Sequence, residues 1–460
     1  MADMQQASLR EAFERALGAI LARVCVSGDP PVLAVACSGG LDSMVLLDLA
    51  RRHAGEAGLR MLALHVHHGL SPNADLWQQH VERECARHGV PVHAAQVTVP
   101  REGDGIEQGA RLQRYRALGE LCREHGARLL LTAHHLDDQA ETVLLQLLRG
   151  AGVAGMGAME AVSSAPGLLG DAGIALARPL LGVTRAALEA YARECGLAWI
   201  DDESNRDPRF ARNALRHAVM PALAAHFPGY QARLARAADH ARAAQRLLDE
   251  IAAEDLARCL EGESLRLDRL DELGPERASN VVRHWFARRG MRMPSTAWLE
   301  QMLTQVGAAR EDARVRVEHP DGEIHRHRGR LFLVPCIEDA MLDAAPVPFR
   351  WQGEEVLHFP SYRGSLRFAV EGEAGRRWLA SQPLELRRRQ GGETLKLAAN
   401  RPARSLKQHF QALDVPAWER RILPLVTADG KLLFAAGIGM NRAVTPEEAG
   451  ISLKWEPDRR

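Results

Sequence analysis

Short apolar runs alternate with amphipathic stretches over the first 150 residues. Val32–Ala36 is nearly all apolar and stops at Ser38-Gly39-Gly40, which is typical of a strand buried on both faces of a parallel sheet. Further strands are predicted at Met61–Val66, Val90–Val97 and Leu129–Ala133, and helices at 7–25, 74–88, 106–125 and 136–149, with another beginning near Asp42. We therefore predict an α/β fold with a parallel sheet and helices on both faces.

The rest of the chain is less regular. Residues 151–175 are rich in Gly and Ala and are predicted to form a mobile loop. Pro221 and Pro228-Gly229 mark the end of the first domain, followed by a long helix over about 230–260 and a small mixed region, 265–340, that ends in a strand at Leu331–Pro335. We predict three domains: 1–220, then 221–345 (a helical linker and a small central domain), and 346–460.

Composition restricts the class of protein. The chain has 460 residues, 46% of them hydrophobic, and equal numbers of basic and acidic side chains, 59 of each. Its seven cysteines are scattered singly, without a C-x-x-C pair, so we expect reduced thiols and no zinc site. The N-terminus does not resemble a signal peptide, and no apolar run is long enough to span a bilayer. We expect a cytoplasmic protein without a membrane partner.

Residues 38–43, Ser-Gly-Gly-Leu-Asp-Ser, join the first predicted strand to a helix. A glycine turn before a helix N-terminus exposes backbone amides at the positive end of the helix dipole, which suits a phosphate group. An ordinary tight turn is the alternative. A Walker A loop is excluded because it needs a Gly-Lys pair, and the first lysine of the chain is Lys396.

A second polar stretch, Thr132–Thr142, follows another predicted strand and opens a helix. Asp137 and Glu141 are four residues apart and so share a helix face, whereas Asp138 lies about 100° around the axis. Such carboxylates suit a cationic amine or a magnesium ion. Capping of the helix N-terminus is the simpler alternative, but it does not account for so many polar residues.

Other polar clusters are more ambiguous. One face of a predicted helix carries Glu107, Arg111, Arg114 and Tyr115. This face is either a solvated, ion-paired surface or a way of placing Arg111 beside a phosphate. His65–Leu70 contains three histidines but no further residue at a metal-ligand spacing. Arg206, Arg209, Arg212 and Arg216 form either a solvated helix face or a clamp for RNA phosphates.

The C-terminal region is basic although the whole chain is neutral. Residues 386–421 contain seven arginines and two lysines against three acidic residues. Clustered basic side chains fit a phosphate backbone, although charge runs are usually solvated surface. Phe410 and Trp418, which lie in this region, are predicted to be core residues and not platforms for bases.

Three motifs carry a resemblance to a known family. The stretch 38–43 resembles the pyrophosphate loop of PP-loop ATP pyrophosphatases. Together with Glu107–Tyr115 and His134–Thr142 it closely resembles the bacterial tRNA(Ile)-lysidine synthases, and the similarity continues at Arg178–Leu181, Asp202–Asn205, Arg212–Arg216 and near the C-terminus. It covers most of the chain and is thin only between about 230 and 380. His67 stands where many members have aspartate, so an acidic role there is in doubt.

The resemblance implies a reaction. ATP adenylates the 2-carbonyl oxygen of the wobble cytidine in tRNA(Ile) with a CAU anticodon, and free L-lysine then displaces AMP. It implies ATP and pyrophosphate binding by Ser38, Gly39, Gly40, Leu41, Asp42 and Ser43, with magnesium on Asp42. The implied catalytic residues are Asp42, Arg111, His134, Asp137 and Glu141, the implied lysine ligands are Asp137 and Glu141, and the implied tRNA contacts are Arg212, Arg216, Arg404, Lys407 and Arg420. A homodimer is an option that the sequence leaves open.

Two other functions remain as alternatives. One is a different PP-loop enzyme, such as a tRNA thiolase or a small-molecule synthetase. Thiolases of this kind generally use cysteine pairs, and the chain has none; a small-molecule synthetase would not need the basic C-terminal region. The other is a non-catalytic RNA-binding protein with a relic nucleotide site. Both polar motifs are intact, which argues against this alternative.

Overall fold

The computed structural model describes residues 2–24, 31–67, 69, 71, 73–98, 106–201, 211–309, 315–335, 344–398, 400–446 and 450–458. The chain divides into two compact units, Met1–Leu248 and Asp249–Arg460. The predicted boundaries at 220 and 345 stay predictions. Arg206 and Arg209 and the stretch Asp202–Asn205 lie outside the described residues.

The first unit is built on a six-stranded sheet with helices on both faces. Its strands are β1 (Leu33–Ala36), β2 (Met61–His67), β3 (Val92–Gln96), β4 (Leu129–Leu131), β5 (Val162–Ser164) and β6 (Ala175–Ala177). Its helices are α1 (Ala2–Val24), α2 (Leu41–Ala57), α3 (Ala74–Arg87), α4 (Ile106–Glu124), α5 (Leu136–Leu148), α6 (Val153–Met156), α7 (Pro166–Leu169), α8 (Arg185–Glu194), α9 (Ala211–Ala214), a π-helical turn (Leu215–Val219) and α10 (Met220–His226). A further helix, α11 (Tyr230–Cys259), begins in this unit and ends in the second. The predicted strands and helices of residues 7–149 and the long helix after 230 are confirmed.

The strand order is β3-β2-β1-β4-β6-β5. Strands β1, β2, β3, β4 and β6 are parallel, whereas β5 runs antiparallel to β6. The chain leaves β1 toward β2 on one side, and β4 lies on its other side, so the order reverses between β1 and β4. Ligands of open α/β sheets bind beyond the carboxyl ends of the strands at such a point.

Apolar residues of β1 are buried on both faces of the sheet. Leu33 and Val35 belong to a core formed with α1, α2 and α8, whereas Ala34 packs in a separate core with residues of α4 and α7. This double burial is the reason that the strands are continuously apolar. Phe13, Leu17 and Ile20 of α1 are buried in the first of these cores.

The prediction of a mobile loop at 151–175 is wrong. This stretch contains α6, β5, α7 and the start of β6. Leu169 is fully buried, and its carbonyl lies so close to Gly119 that a side chain on this glycine would clash with it. These elements are only three or four residues long, too short to show a hydrophobic period, and tertiary packing stabilises them instead.

The second unit contains several antiparallel sheets. Its strands are β7 (Leu260–Glu261), β8 (Ser264–Arg266), β9 (Arg316–His319), β10 (Gly322–His327), β11 (Arg330–Pro335), β12 (Val347–Phe349), β13 (Val356–Phe359), β14 (Gly364–Val370), β15 (Leu384–Arg387), β16 (Thr394–Leu395), β17 (Arg404–Ser405), β18 (Leu425–Ala428), β19 (Lys431–Ala435), β20 (Gly439–Met440) and β21 (Ile451–Pro457). Its helices are α12 (Leu267–Asp271), α13 (Pro275–Arg288), α14 (Thr296–Ala308), a 3-10 turn (Pro360–Tyr362), α15 (Gly372–Ser381), α16 (Leu406–Ala412) and α17 (Glu419–Ile422).

These strands form sheets β7-β8-β11-β10-β9, β12-β15-β18-β19-β20, β13-β14-β21 and β16-β17. The first sheet shares a core with α13 and α14, in which Trp285 and Phe286 are buried. The predicted strand at Leu331–Pro335 is confirmed.

Candidate active site

The loop 38–43 is held together by its own serines. Ser43 Oγ accepts a hydrogen bond from the Ser38 amide at 3.2 Å and donates one to the Gly40 carbonyl at 2.9 Å. Gly40 is the N-cap residue of α2 and makes no side-chain capping hydrogen bond. The amides of the first turn of a helix need partners from outside the helix, and an anion can supply them. The geometry therefore fits the predicted phosphate site.

Gly39 is where this loop meets helix α3. Its φ of +85° lies in the left-handed region. A Cβ atom built at Gly39 would lie 3.2 Å from Val81 Cγ2, 3.6 Å from His80 Cδ2 and 3.8 Å from the Trp77 carbonyl oxygen. The backbone angle therefore favours glycine here, and a side chain would also have to push the Val81 methyl group back by a few tenths of an ångström.

We expect Gly39→Ala to raise KM for ATP about tenfold or more, because left-handed backbone costs an L-residue roughly 1–2 kcal/mol and the Val81 contact adds to it. Gly58→Ala is a matched control, since Gly58 also has a positive φ of 65° but nothing within 4 Å of its built Cβ. Steady-state pyrophosphate release measures both variants. An equal rise in KM for both would show that the effect is not local to the loop.

Asp42 lies in the first turn of α2 and faces the end of β4. Its Oδ2 is 3.7 Å from His135 Nε2 and 3.9 Å from an Arg185 guanidinium nitrogen. Its Oδ1 is buried and has no hydrogen-bond partner among the described residues. An ionised oxygen without a donor fits a cation, and Mg²⁺ is commonly held by one or two carboxylates plus substrate phosphates. The described residues contain no cluster of three or more His, Cys, Asp or Glu that would hold a metal unaided.

His135 connects the loop to helix α5, although the sequence analysis singled out only its neighbour His134. His135 is buried and caps α5, accepting the Asp138 amide at its Nδ1 while Asp138 accepts the His135 amide. Its Nε2 faces Asp138 Oδ2 at 3.4 Å and Asp42 Oδ2 at 3.7 Å. Its position three residues before an acidic residue at the helix start is a capping-box pattern, which could have indicated this role.

Asp138 and Glu141 form ion pairs with two arginines that follow in the chain. Glu141 is 2% exposed and accepts hydrogen bonds from Arg212 Nε at 2.7 Å and from Arg216 Nε at 2.7 Å. Asp138 Oδ1 accepts from the same two guanidinium groups at 3.1 and 3.2 Å. Arg212 and Arg216, which were predicted to bind tRNA, thus lie on carboxylates of α5.

The structure adds partners to the α5 carboxylates that helical spacing alone did not indicate. It is Asp138 and Glu141 that share partners, because residues three apart also lie on one helix face. Asp137 is separate: its Oδ2 accepts the Arg185 amide at 2.8 Å, and its Oδ1 accepts from Gln231 Nε2 at 3.2 Å. The hydrogen bonds to Asp137 therefore come from neutral donors, with His135 Nδ1 farther away at 3.8 Å from its Oδ2, whereas Glu141 pairs with two guanidinium groups.

His134 lies among guanidinium groups. Its Nδ1 is 2.9 Å from Thr132 Oγ1. Burial, against the opposing effect of Asp138 and with the help of Arg178, Arg111 and Arg212, lowers the pKa of His134 to about 3. The imidazole is therefore neutral near pH 7. Three guanidinium groups around a neutral ring suit an anionic group such as a phosphate.

His135 titrates in the opposite direction. Burial opposes its protonation, but Asp42, Asp138 and Asp137 outweigh burial and raise its pKa above 6.5. The stability that His135 contributes is therefore complete below pH 6.5 and is lost as the pH rises through its folded-state pKa. The stability that His134 contributes is present above pH 6.5 and is lost as the pH falls toward about 3. We expect NMR of labelled histidines at about pH 5 to find His134 neutral and His135 protonated, with the His135 Nδ1–H directed at Asp137 Oδ2, now 3.8 Å away, instead of accepting the Asp138 amide. Signals lost in His134→Asn and His135→Asn assign the two rings, and a protonated His134 at that pH would contradict the geometry.

Arg111 lies over the ring of Tyr115, with its Cζ 4.9 Å from the ring centroid. Tyr115 is buried, so the stacking orients the guanidinium group. The side chain of Glu107 lies outside the described residues. His67, at the end of β2, is 3.0 Å from Asp75 through its Nε2 and is mostly buried.

Comparisons with known proteins agree with this arrangement. Residues 9–223 match the PP-loop domain model, 265–332 the TilS substrate binding domain model and 384–455 the TilS substrate C-terminal domain model. The chain is 44% identical to the tRNA(Ile)-lysidine synthase of Burkholderia pseudomallei (strain K96243), over 96% of each protein. It is 41% identical to that of Ralstonia nicotianae, over 94% of each, and 42% identical to that of Pseudomonas aeruginosa, over 92% of this chain and 93% of the relative. The chain belongs to the tRNA(Ile)-lysidine synthase family.

The second unit of this lysidine synthase family member carries the basic region. Arg404 and Lys407 are exposed, at β17 and at the start of α16. Arg420 Nε donates to the Val415 carbonyl at 2.7 Å. Phe410 is 1% exposed, which confirms its place in the core, and Trp418 is half-buried beside His325, with ring centroids 4.4 Å apart. In the described part of the chain, no helix combines the length and the apolar character needed to cross a membrane.

Proposed function

We propose that this protein joins free L-lysine to the 2-carbon of the wobble cytidine in tRNA(Ile) with a CAU anticodon, using ATP. The observation that carries the proposal is identity of 44% over 96% of the chain to a tRNA(Ile)-lysidine synthase. Local support comes from the loop 38–43 and the polar start of α5, which both lie at the point where the strand order reverses.

In the first step the 2-carbonyl oxygen attacks the α-phosphorus of ATP. The bond from the α-phosphorus to the bridging oxygen breaks, and pyrophosphate leaves. The loop amides and the N-terminus of α2 bind the departing phosphates. Asp42 would hold the magnesium ion, which would neutralise charge on the phosphates. Arg111 and the neutral His134 face the negative charge that develops in the transition state.

In the second step the ε-amine of lysine attacks the activated carbon. A bond forms from nitrogen to carbon, the bond from that carbon to the adenylate oxygen breaks, and AMP leaves. The amine must lose a proton, which a carboxylate accepts. We assign the first contact with the ammonium group to Asp137, because the hydrogen bonds that it accepts come from the Arg185 amide and the Gln231 side chain, which are neutral donors. Glu141 is the second predicted ligand, and its arginine partners must give way first.

The cytidine must leave its stack to reach both groups, which costs less in an anticodon loop than in a duplex. Arg404, Lys407 and Arg420 remain the proposed contacts with the phosphate backbone of the tRNA. Phosphate contacts position the RNA but do not read its sequence. A homodimer stays an untested prediction.

The deciding experiment is incorporation of radiolabelled lysine into a tRNA(Ile) transcript with a CAU anticodon, with and without ATP. Labelling that needs ATP and releases AMP and pyrophosphate in equal amounts supports the proposal. A transcript with a changed wobble base is the control and should take no label. Pyrophosphate release without labelling would point to a PP-loop enzyme with a different second substrate.

A further inference from the structure

Both oxygens of the Glu141 carboxylate already have cationic partners from the same chain. Oε1 accepts from Arg216 Nε at 2.7 Å, and Oε2 accepts from Arg212 Nε at 2.7 Å and from an Arg216 terminal nitrogen at 2.9 Å. Asp138 Oδ1 accepts from the same guanidinium groups. Two carboxylates and two guanidinium groups thus cancel in charge.

This pairing changes what Glu141 can bind. An ammonium group that approaches it meets a neutral ion-pair network, and it must displace a guanidinium group to reach an oxygen. Removing one cation from a buried carboxylate is costly unless another cation replaces it. Asp137 differs because it accepts hydrogen bonds from the Arg185 backbone amide and the neutral Gln231 side chain, whereas His135 Nδ1 is more distant, at 3.8 Å from its Oδ2.

Arg212 also lies within reach of a second kind of partner. Together with Arg111 and Arg178 it disfavours the protonated form of His134. These three guanidinium groups make a region of positive potential at the end of β4, where a phosphate group would bind. A phosphate drawn to this region would therefore compete with Glu141 for the Arg212 guanidinium group, which donates to Glu141 Oε2 at 2.7 Å.

The backbone around Arg216 has an unusual helical geometry. Arg216 lies in the π-helical turn Leu215–Val219, between α9 and α10. Turns of π-helix are rare within α-helices and occur frequently at functional sites. Arg216 and Arg212 nevertheless keep partial exposure, at 24% and 28% of their side chains, so the pair has access to solvent on one side.

We propose that Arg212 and Arg216 are positioning residues that form an arginine latch, which keeps Glu141 closed to lysine until phosphate oxygens draw the guanidinium groups away. The inference rests on the proposed function, because it assumes that lysine is the amine. The phosphate comes either from ATP or from the tRNA backbone, and the same chemistry serves both. With the latch open, Glu141 joins Asp137 in holding the ε-ammonium group.

The latch requires that phosphate and lysine bind cooperatively. Coupling between two sites is reciprocal and typically amounts to about 5–150-fold in affinity. Lysine should therefore bind weakly to the protein alone and at least about tenfold more tightly once the phosphate is present. A merely structural ion pair predicts no such difference.

Calorimetric titration of L-lysine into the full chain tests this directly. Four states are compared: the protein alone, with magnesium and an ATP analogue that has a methylene group between the α- and β-phosphates, with the tRNA transcript, and with both. We expect tightening with the analogue, with the tRNA or with both, and the arm that produces it identifies the source of the phosphate.

Variants separate a latch from a structural role. Arg216→Gln should tighten lysine binding to the protein alone about threefold or more and reduce the coupling, because one guanidinium group no longer occupies Glu141. Arg216→Lys keeps the charge but loses the two-pronged geometry of the guanidinium group. It replaces Arg216→Gln in the same titration if that variant does not fold. Arg233→Gln removes a positive charge from an exposed position on α11 and should behave as the wild type.

Two results would overturn the latch. Equal lysine affinity in all four states, in a protein that incorporates lysine into tRNA, would remove the coupling and leave the proposed function intact. Weaker lysine binding in Arg216→Gln than in the wild type without phosphate would show that the arginine assists lysine instead of excluding it. Failure to incorporate lysine at all would overturn the function, and the latch with it.

Discussion

Asp42→Asn is expected to lower the rate of AMP formation on the order of 10³-fold and to leave tRNA binding nearly unchanged. The variant keeps the shape of the side chain but removes the charge on Oδ1, the buried oxygen that no described residue contacts. A neutral amide oxygen binds magnesium far more weakly than a carboxylate oxygen does, and Asp42 is the one protein carboxylate that we assign to this magnesium ion. Single-turnover release of AMP and filter binding of the tRNA transcript measure the two properties.

Asp239→Asn is the matched control for this substitution. Asp239 is exposed on α11 and pairs with Arg242 of the same helix, so the same chemical change there should leave AMP release within about twofold of the wild type. A second check is rescue, since excess Mn²⁺ or Mg²⁺ should restore part of the Asp42→Asn activity if the lost contact is with the metal. Unchanged AMP release in Asp42→Asn would remove the magnesium assignment.

The sequence was a good guide to the loop and its surroundings for a physical reason. A strand buried on both faces has to be continuously apolar, and a helix packed on one face has to repeat its apolar residues at the helical period. Both requirements are therefore visible in the local sequence. The end of β1 and the start of α2 are fixed by this pattern to within a residue or two. Because parallel strands end at one edge, the loops after β1 and β4 were predictable neighbours.

What remained hidden depends on contacts between distant parts of the chain. Helical spacing shows that Asp137 and Glu141 share a face, but it does not show which partners meet that face. Arg212 lies 71 residues after Glu141, and Gln231, which orients Asp137, comes from the first turn of α11. The short elements within 151–175 were missed for a related reason, since their order comes from packing and not from their own periodicity.

Glu141→Ala is expected to lower the free energy of unfolding of the first unit by about 2–4 kcal/mol. Removing one partner from a buried ion pair typically costs about 3–5 kcal/mol; we expect somewhat less because the two guanidinium groups keep partial exposure. The loss arises because, among the described residues, Asp138 is then the remaining ion-pair partner of Arg212 and Arg216. Urea dependence of hydrogen exchange in peptides of α5 measures the change, since a chain of two units is not expected to unfold in one step.

Glu189→Ala is the control that distinguishes burial from charge. Glu189 also lies between two arginines, Arg185 at 3.5 Å and Arg193 at 3.7 Å, but its side chain is 38% exposed. Exposed pairs of this kind contribute at most about 1 kcal/mol, so this variant should unfold at nearly the wild-type urea concentration. A loss below about 1 kcal/mol for Glu141→Ala as well would mean that solvent screens the network. The ion pairs could then neither hold α9 on α5 nor keep lysine away from Glu141, and the latch would lose its physical basis.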